Sequence, residues 1–258
     1  DHRDLHSFPT RRSSDLGEIR ALVAGFSSRE AAKNLAFERI AATDWVASAL
    51  EGLKPVRAGR FVVHGAHDRG TVRSGQIGIE IEAALAFGTG HHGTTRGCLE
   101  HVTAHLKRRR PRRIVDIGTG TGVLAIGLAK ALRQPVLAGE IDPDSVAIAK
   151  ENARLNGIRA GLKVYRAAGL QHPDLRRSNH YDLILANILA RPLKSIARQV
   201  GLAAGPDCEL ILSGLLPGDV PGVLSAYRMQ GFALVARRQI EDWVSLTLKR
   251  GGQGSSKA

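Results

Sequence analysis

The stretch IVDIGTGTGVLAIGL, residues 114–128, decides the fold of this chain. It joins a short apolar run that contains Asp116 to three glycines at alternate positions and then to a helix-like apolar pattern. The order strand, tight turn, helix is typical of α/β folds that bind a nucleotide-like ligand, because glycines let the ligand approach the backbone and the helix start offers free amides. Asp116, Gly118, Gly120 and Gly122 are therefore candidate ligand contacts. A turn without a ligand is the alternative.

The spacing of the glycines argues against a dinucleotide. The pyrophosphate fingerprint places its third glycine three residues after the second, where this chain has Val123. A second apolar run, residues 135–140, ends in Glu140 at about the 20-residue spacing at which such folds bind ribose hydroxyls. We therefore expect Glu140 to hold a ribose. Asp142, which is followed by Pro143, is expected to cap a helix instead.

Three segments together resemble a known family. DIGTGTG, residues 116–122, resembles the first motif of S-adenosylmethionine-dependent methyltransferases with a Rossmann-like sheet. FGTGHHGTT, residues 87–95, and ANIL, residues 186–189, are more specific and resemble the ribosomal protein L11 methyltransferase family, PrmA. The resemblance implies transfer of methyl groups from S-adenosylmethionine to lysine side-chain and N-terminal amino groups of L11. Two alternatives stay open: methylation of another protein or of RNA, and a non-catalytic module that keeps the cofactor pocket.

The resemblance also assigns cofactor contacts. Four positions match those of the family: Thr95, Gly118, Glu140 and Asn187. The family usually has Asp where this chain has Glu140, which keeps the charge on a longer arm, and we expect the ribose contact to survive. The glycine-hinged loop that contains Thr89 and Gly90 is assigned to the methionine end of the cofactor.

Asn187 is the candidate catalytic residue. It ends a predicted strand, so its side chain is expected to point into the crevice where cofactor and substrate meet. Methylation of an amine is a direct displacement that requires a deprotonated amine, alignment, and acceptors for the remaining hydrogens. By analogy with the Asn-Pro-Pro-Tyr motif of other nitrogen methyltransferases, the amide oxygen of Asn187 and the carbonyls around Ile188 are such acceptors.

Alternating strands and helices predict an α/β fold with a mostly parallel sheet. Seven strands are expected in the methyltransferase order, beginning at residue 114 and continuing at 135–140, 162–166, 181–187, 209–213, 233–237 and 244–249. The last two are close enough for an antiparallel hairpin. Helices are predicted over residues 94–106, 145–156 and 216–229. Gly169 and Leu170 are expected to run past the adenine.

Five segments are expected along the chain. They are a non-native, disordered leader (1–16), part of a ferredoxin-like α+β domain that recognises the substrate in the family (17–52), a linker and strand (53–75), the methyltransferase domain (76–250) and a disordered tail (251–258). Strands at residues 61–64 and 76–81 are expected to pair. The shortened front domain leaves substrate docking open.

One predicted helix carries three residues of metal-binding type. Cys98, His101 and His105 share a face of the 94–106 helix, which brings three potential ligands within reach of one another. The zincin order His-Glu-x-x-His is absent because Glu100 precedes His101. We prefer a solvated helix face and expect no metal.

Charge and composition limit the class of protein. The net charge is +13, and six of the seven residues 107–113 are basic. This basic run precedes the first sheet strand, at the edge opposite to the ligand edge, so a solvated connector and a transient contact with ribosomal RNA both stay open. Two cysteines, too few for a disulfide framework, lead us to expect a cytoplasmic protein. The lack of an apolar run of about 18 residues leads us to expect no membrane partner. We also expect a monomer.

Overall fold

The structure, a computed structural model, describes residues 55–81, 92–158, 160–177 and 180–251. All of these belong to one unit, Ser48–Ala258. The predicted leader and the predicted N-terminal α+β segment lie outside the described residues, as do Thr89 and Gly90.

Three short strands form a small sheet ahead of the first described helix. They are β1 (Val56–Ala58), β2 (Phe61–His64) and β3 (Ile77–Glu80). β1 pairs with β2 in antiparallel fashion, and β2 pairs with β3 in parallel. The predicted pairing of the last two is confirmed, whereas β1 lies inside the segment predicted as a linker. A 3-10 helix, Ala66–Thr71, connects β2 to β3.

A seven-stranded sheet forms the centre of the unit. Its strands are β4 (Ile114–Ile117), β5 (Val136–Glu140), β6 (Leu162–Arg166), β7 (Tyr181–Asn187), β8 (Ala204–Leu215), β9 (Phe232–Ile240) and β10 (Trp243–Arg250). The order is β6-β5-β4-β7-β8-β10-β9, and β10 runs antiparallel to the other six strands. The predicted seven strands, their order and the closing hairpin are confirmed.

Helices cover both faces of this sheet. They are α1 (His92–Arg108), α2 (Val123–Leu132), α3 (Pro143–Leu155), α4 (Pro173–Arg177), α5 (Ala190–Ala203) and α6 (Val220–Arg228). Asp142 caps α3, as predicted, by accepting from the amides of Asp144 and Ser145. The predicted helix 216–229 is wrong at its start, because a 3-10 turn, Pro217–Asp219, precedes α6. None of the described helices is both long and apolar enough to cross a bilayer.

Two apolar cores enclose the sheet and fix its ligand edge. One packs α4, α5 and α6 against one face, and the other packs α1, α2, α3 and the small sheet against the opposite face. Parallel pairing brings the carboxyl ends of β4, β5, β7 and β8 to one edge. The strand order reverses between β4 and β7, and in open α/β sheets the ligand crevice opens at such a reversal.

Candidate active site

Gly118 and Gly120 shape the turn that follows β4. Both have positive φ, +67° and +53°, a region that glycine enters without steric cost. A side chain at Gly118 would collide with Cγ2 of Ile188, which follows β7, whereas a Cβ at Gly120 would meet nothing within 4 Å. The turn therefore presses against the end of β7 on one side and borders open space on the other. Gly122 (φ +85°) precedes α2.

Asp116 lies beneath this turn and is enclosed by protein. Its Oδ2 accepts from Thr119 Oγ1 at 2.7 Å, whereas Oδ1 is buried and no described residue donates to it. Burial raises the pKa of Asp116 to about 6. A buried acceptor without a donor costs stability, so the site is suited to a ligand that brings hydrogen-bond donors.

Glu140 ends β5 and folds back onto the glycine turn. Its Oε2 accepts from the amide of Gly120 at 2.9 Å. Its Oε1 accepts from the amides of Ile141 at 2.7 Å and Asp142 at 3.1 Å. The carboxylate therefore couples β5 to the turn after β4, at the position where the sequence predicts a ribose contact.

Asn187 ends β7 and is held from α1. Its Nδ2 donates to Oγ1 of Thr94 at 3.3 Å, and no described residue donates to its Oδ1. Thr94 and Thr95 lie in the first turns of α1 and are 1% and 2% exposed. The carbonyl of Thr94 accepts from Ser213 Oγ at 3.3 Å, and Ser213 is the register partner of Asn187 on β8. The first turns of α1 thus meet two neighbouring strand ends.

Gly214 secures the segment after Asn187. It has φ +83°, and a Cβ there would lie 2.5 Å from the carbonyl oxygen of Ile188. Ile188 is therefore confined between the turn at Gly118 and the end of β8. Ser213 and Gly214 are site residues that the sequence motifs do not predict, although a Ser-Gly pair after an apolar strand is a turn signal.

Gly169 and Leu170 follow β6, as predicted, beside the end of β5. The carbonyl oxygen of Gly169 would lie 2.9 Å from a Cβ at Gly139 of β5. The Leu170 amide donates to Oε1 of Gln199 at 3.2 Å, and the Leu170 side chain packs in the core. The amide of Leu170 is therefore engaged by α5.

His101 and His105 of α1 turn to separate partners. His101 Nδ1 lies 2.7 Å from Thr247 Oγ1, and His105 Nδ1 lies 2.8 Å from Glu209 Oε2. Both rings are buried, which corrects the predicted solvated face: α1 packs on β8 and β10, and burial lowers the pKa of both histidines. Within the described ranges no group of three potential ligands converges on a metal position.

The basic run lies at the opposite edge of the sheet, where β4 begins. Three of its arginines bind protein groups: Arg108 the Glu209 carboxylate at 2.9 Å, Arg109 the Asp207 carbonyl at 2.8 Å and Arg110 the Leu132 carbonyl at 2.5 Å. The side chains of Lys107 and Arg112 are exposed and form no hydrogen bond or ion pair with described residues. Part of the run therefore stabilises the fold, and part faces solvent.

Comparisons with known proteins agree with this architecture. The family model described as "Ribosomal protein L11 methyltransferase (PrmA)" matches residues 3–251. Relatives named ribosomal protein L11 methyltransferase include that of Rhodopseudomonas palustris (strain BisB5), 53% identical over 92% of this chain and 80% of the relative. That of Bradyrhizobium diazoefficiens is 51% identical over 92% and 81%. The crystal structure of ribosomal protein L11 methylase from Lactobacillus delbrueckii subsp. bulgaricus aligns with a TM-score of 0.68 at 28% identity, covering 77% of this chain and all of that chain.

The strand order, the glycine turn and the acids at the ends of β4 and β5 define an S-adenosylmethionine-dependent methyltransferase with a Rossmann-like sheet. Both the predicted fold class and the predicted cofactor are confirmed. Because the family model covers nearly the whole sequence, the assignment goes further: the chain belongs to the ribosomal protein L11 methyltransferase (PrmA) family.

The residues present fit this cofactor. S-adenosylmethionine offers an ammonium group and ribose hydroxyls as donors, and the site offers the unengaged Oδ1 of Asp116 and the carboxylate of Glu140. Gly120 leaves the space above the turn free of side chains.

Proposed function

We propose that the protein transfers methyl groups from S-adenosylmethionine to lysine side-chain and N-terminal amino groups of ribosomal protein L11. The relatives are named for this substrate, and the chain spans 80% and 81% of the lengths of the two cited. The observation that carries the proposal is the amide of Asn187, which Thr94 holds at the carboxyl end of β7 beside the glycine turn.

Methyl transfer to an amine requires the protein mainly to position the two reacting groups. When bound, the cofactor supplies an electrophilic methyl group on a sulfonium that leaves as a neutral thioether. The Oδ1 of Asn187 and the carbonyl of Ile188 accept hydrogens of the incoming amine, which orients its lone pair for attack. Gly118 and Gly214 confine Ile188 and thereby keep both acceptors in place.

The cofactor contacts are part of the same proposal. They are Thr95, Gly118, Glu140 and Asn187, together with Thr89, Gly90, Asp116, Gly120, Gly122, Gly169 and Leu170. The direct contacts among Gly120, Glu140, Gly118 and Ile188 support the idea that several of them act as one site.

We also propose the partners and the setting of the reaction. The protein acts as a monomer in the cytoplasm, its methyltransferase domain spans residues 76–250, and residues 17–52 are part of a substrate-recognition domain. The exposed side chains of Lys107 and Arg112 support a transient contact between the basic run and ribosomal RNA.

A methyl-transfer assay tests the function. The protein is incubated with radiolabelled S-adenosylmethionine and purified L11, with other ribosomal proteins and ribosomal RNA as competing acceptors and an Asn187→Ala variant as the matched control. We expect label on amino groups of L11, located by mass spectrometry, and none with the variant. Label on another acceptor alone, or cofactor binding without transfer, contradicts the proposal.

A further inference from the structure

We infer that Thr94 is a positioning residue for methyl transfer: its hydroxyl oxygen fixes the amide of Asn187 in the orientation that leaves Oδ1 for the substrate amine. This inference rests on the proposed function, since it assigns Asn187 the task of accepting hydrogens from that amine.

The position of Thr94 in the fold supports this role. Its Oγ1 accepts from Asn187 Nδ2 at 3.3 Å, and its carbonyl accepts from Ser213 Oγ at the same distance. Asn187 ends β7, and its register partner Ser213 lies two residues before the end of β8. One residue of α1 therefore ties together the two strand ends that meet at the site.

The helix that carries Thr94 packs closely on the sheet. A Cβ at Gly97, one turn further along α1, would lie 2.5 Å from Ser245 Oγ of β10, so only glycine permits this approach. Thr94 is 1% exposed and Ser213 is fully buried. Thr94 and Ser213 are therefore shielded from water, which strengthens the bond between them, whereas Asn187 is half-buried and borders the site.

The direction of the hydrogen bond determines which end of the amide faces the substrate. The two ends of an Asn amide have nearly the same shape, so packing alone does not distinguish Oδ1 from Nδ2. In the structure Nδ2 of Asn187 donates to Oγ1 of Thr94, so the threonine oxygen is the acceptor of this bond. An acceptor at Thr94 selects the orientation of the Asn187 amide in which Nδ2 faces Thr94 and Oδ1 faces the site. The reverse orientation would present N–H groups to an amine that also carries N–H groups.

Two variants of Thr94 distinguish the effect of its hydroxyl group from the effect of its side-chain shape. Thr94→Val keeps the branched shape and removes the acceptor, and Thr94→Ser keeps the acceptor. We expect Thr94→Val to lower kcat on L11 by about tenfold, with KM for L11 little changed. Because Asn187 Nδ2 loses its acceptor, the melting temperature should also fall by about 2 to 4 °C. Thr94→Ser should restore kcat to within about twofold of the wild type.

A matched control lies on the same helix. Thr103 donates from Oγ1 to the carbonyl of Leu99 at 2.8 Å, a bond internal to α1 and remote from Asn187. Thr103→Val therefore removes a helical hydroxyl of the same kind without touching the site. Its kcat should equal that of the wild type.

A double-variant cycle provides a readout that needs no turnover. The affinity for S-adenosylhomocysteine is measured by calorimetry for the wild type, Thr94→Val, Asn187→Ala and the double variant. If Thr94 acts through Asn187, adding Thr94→Val to Asn187→Ala changes the affinity by less than about twofold.

Three results would overturn the inference: wild-type kcat in Thr94→Val, equal losses in Thr94→Ser and Thr94→Val, or a large affinity change on adding Thr94→Val to the Asn187→Ala variant. Failure of the proposed function looks different, since the wild type would then bind S-adenosylhomocysteine and leave L11 unlabelled. In that case the calorimetric cycle still decides whether the two residues are coupled.

Discussion

The carboxylate of Glu140 is largely engaged by the protein itself. Three backbone amides donate to it: those of Gly120, Ile141 and Asp142. An ionised carboxylate offers about four lone-pair sites, so about one remains for a ribose hydroxyl. Contact with both hydroxyls of a ribose therefore displaces one of the three amides.

The charge of Glu140, more than the length of its arm, should govern cofactor affinity. Glu140→Gln replaces one acceptor oxygen by an NH2 group that faces backbone donors, and we expect it to weaken S-adenosylmethionine binding by about tenfold or more. Glu140→Asp should stay within about threefold of the wild type. Titration calorimetry measures both. If the Gln variant binds S-adenosylmethionine as tightly as the wild type, Glu140 does not contact the cofactor.

Asp116 should make stability depend on pH. Its pKa is about 6 in the folded protein, against a usual value of 3.8, so the folded state holds this proton more tightly. The extra stability that the tightly held proton gives the folded state is fully present below pH 3.8, the usual pKa of the group. It is lost as the pH rises through about 6. We expect Asp116→Asn to match the wild type near pH 4 and to exceed it by about 3 kcal/mol near pH 7.5. Urea unfolding across this range is the measurement, and a pH-independent difference would contradict the expectation.

The end of β8 supports the active site by shape. A Cβ at Gly214 would press on the Ile188 carbonyl, at a φ of +83° that disfavours other residues. Gly231 has the same φ, but nothing lies within 4 Å of its Cβ position. A substitution at either glycine therefore meets the same unfavourable φ, and only the one at Gly214 adds a collision.

This pair isolates the collision experimentally. Gly214→Ala should lose about 2 to 3 kcal/mol of stability and more than about tenfold in kcat, because Ile188 must move and carries Asn187 with it. Gly231→Ala should lose about 1 kcal/mol and keep its kcat. Urea unfolding and the methyl-transfer assay report the two effects. Equal kcat in both variants would show that the position of Ile188 does not matter.

Local patterns account for what could be predicted of the elements. Each strand of the central sheet is an apolar run bounded by turn residues, and alternation with helices implies parallel pairing. β1 escaped prediction because three residues between Pro55 and Gly59 are too few to show an alternating pattern. The bond between Thr94 and Asn187 joins residues 93 positions apart and depends on how α1 packs on the sheet. No local pattern carries that information.

Across the whole molecule, the cofactor edge and the basic run lie at opposite ends of the sheet. A net charge of +13 favours association with polyanions in general. Arg108, Arg109 and Arg110 are engaged by the fold, so replacing the entire run would confound stability with binding. Lys107 and Arg112 are the informative pair, because their exposed side chains can be changed without loss of a described contact.

Contact with ribosomal RNA should appear as a salt dependence. The affinity for RNA falls as salt rises, and we expect this dependence to be weaker in the double variant Lys107→Gln, Arg112→Gln. The slope of log affinity against log salt should become less negative by about one to two units, because two phosphate contacts no longer release counterions. The control is Lys150→Gln, Arg198→Gln, which removes the same charge from exposed positions on α3 and α5. Fluorescence anisotropy with a ribosomal RNA fragment measures both slopes. Equal slopes would assign the observed binding to net charge alone and leave the basic run as a solvated connector.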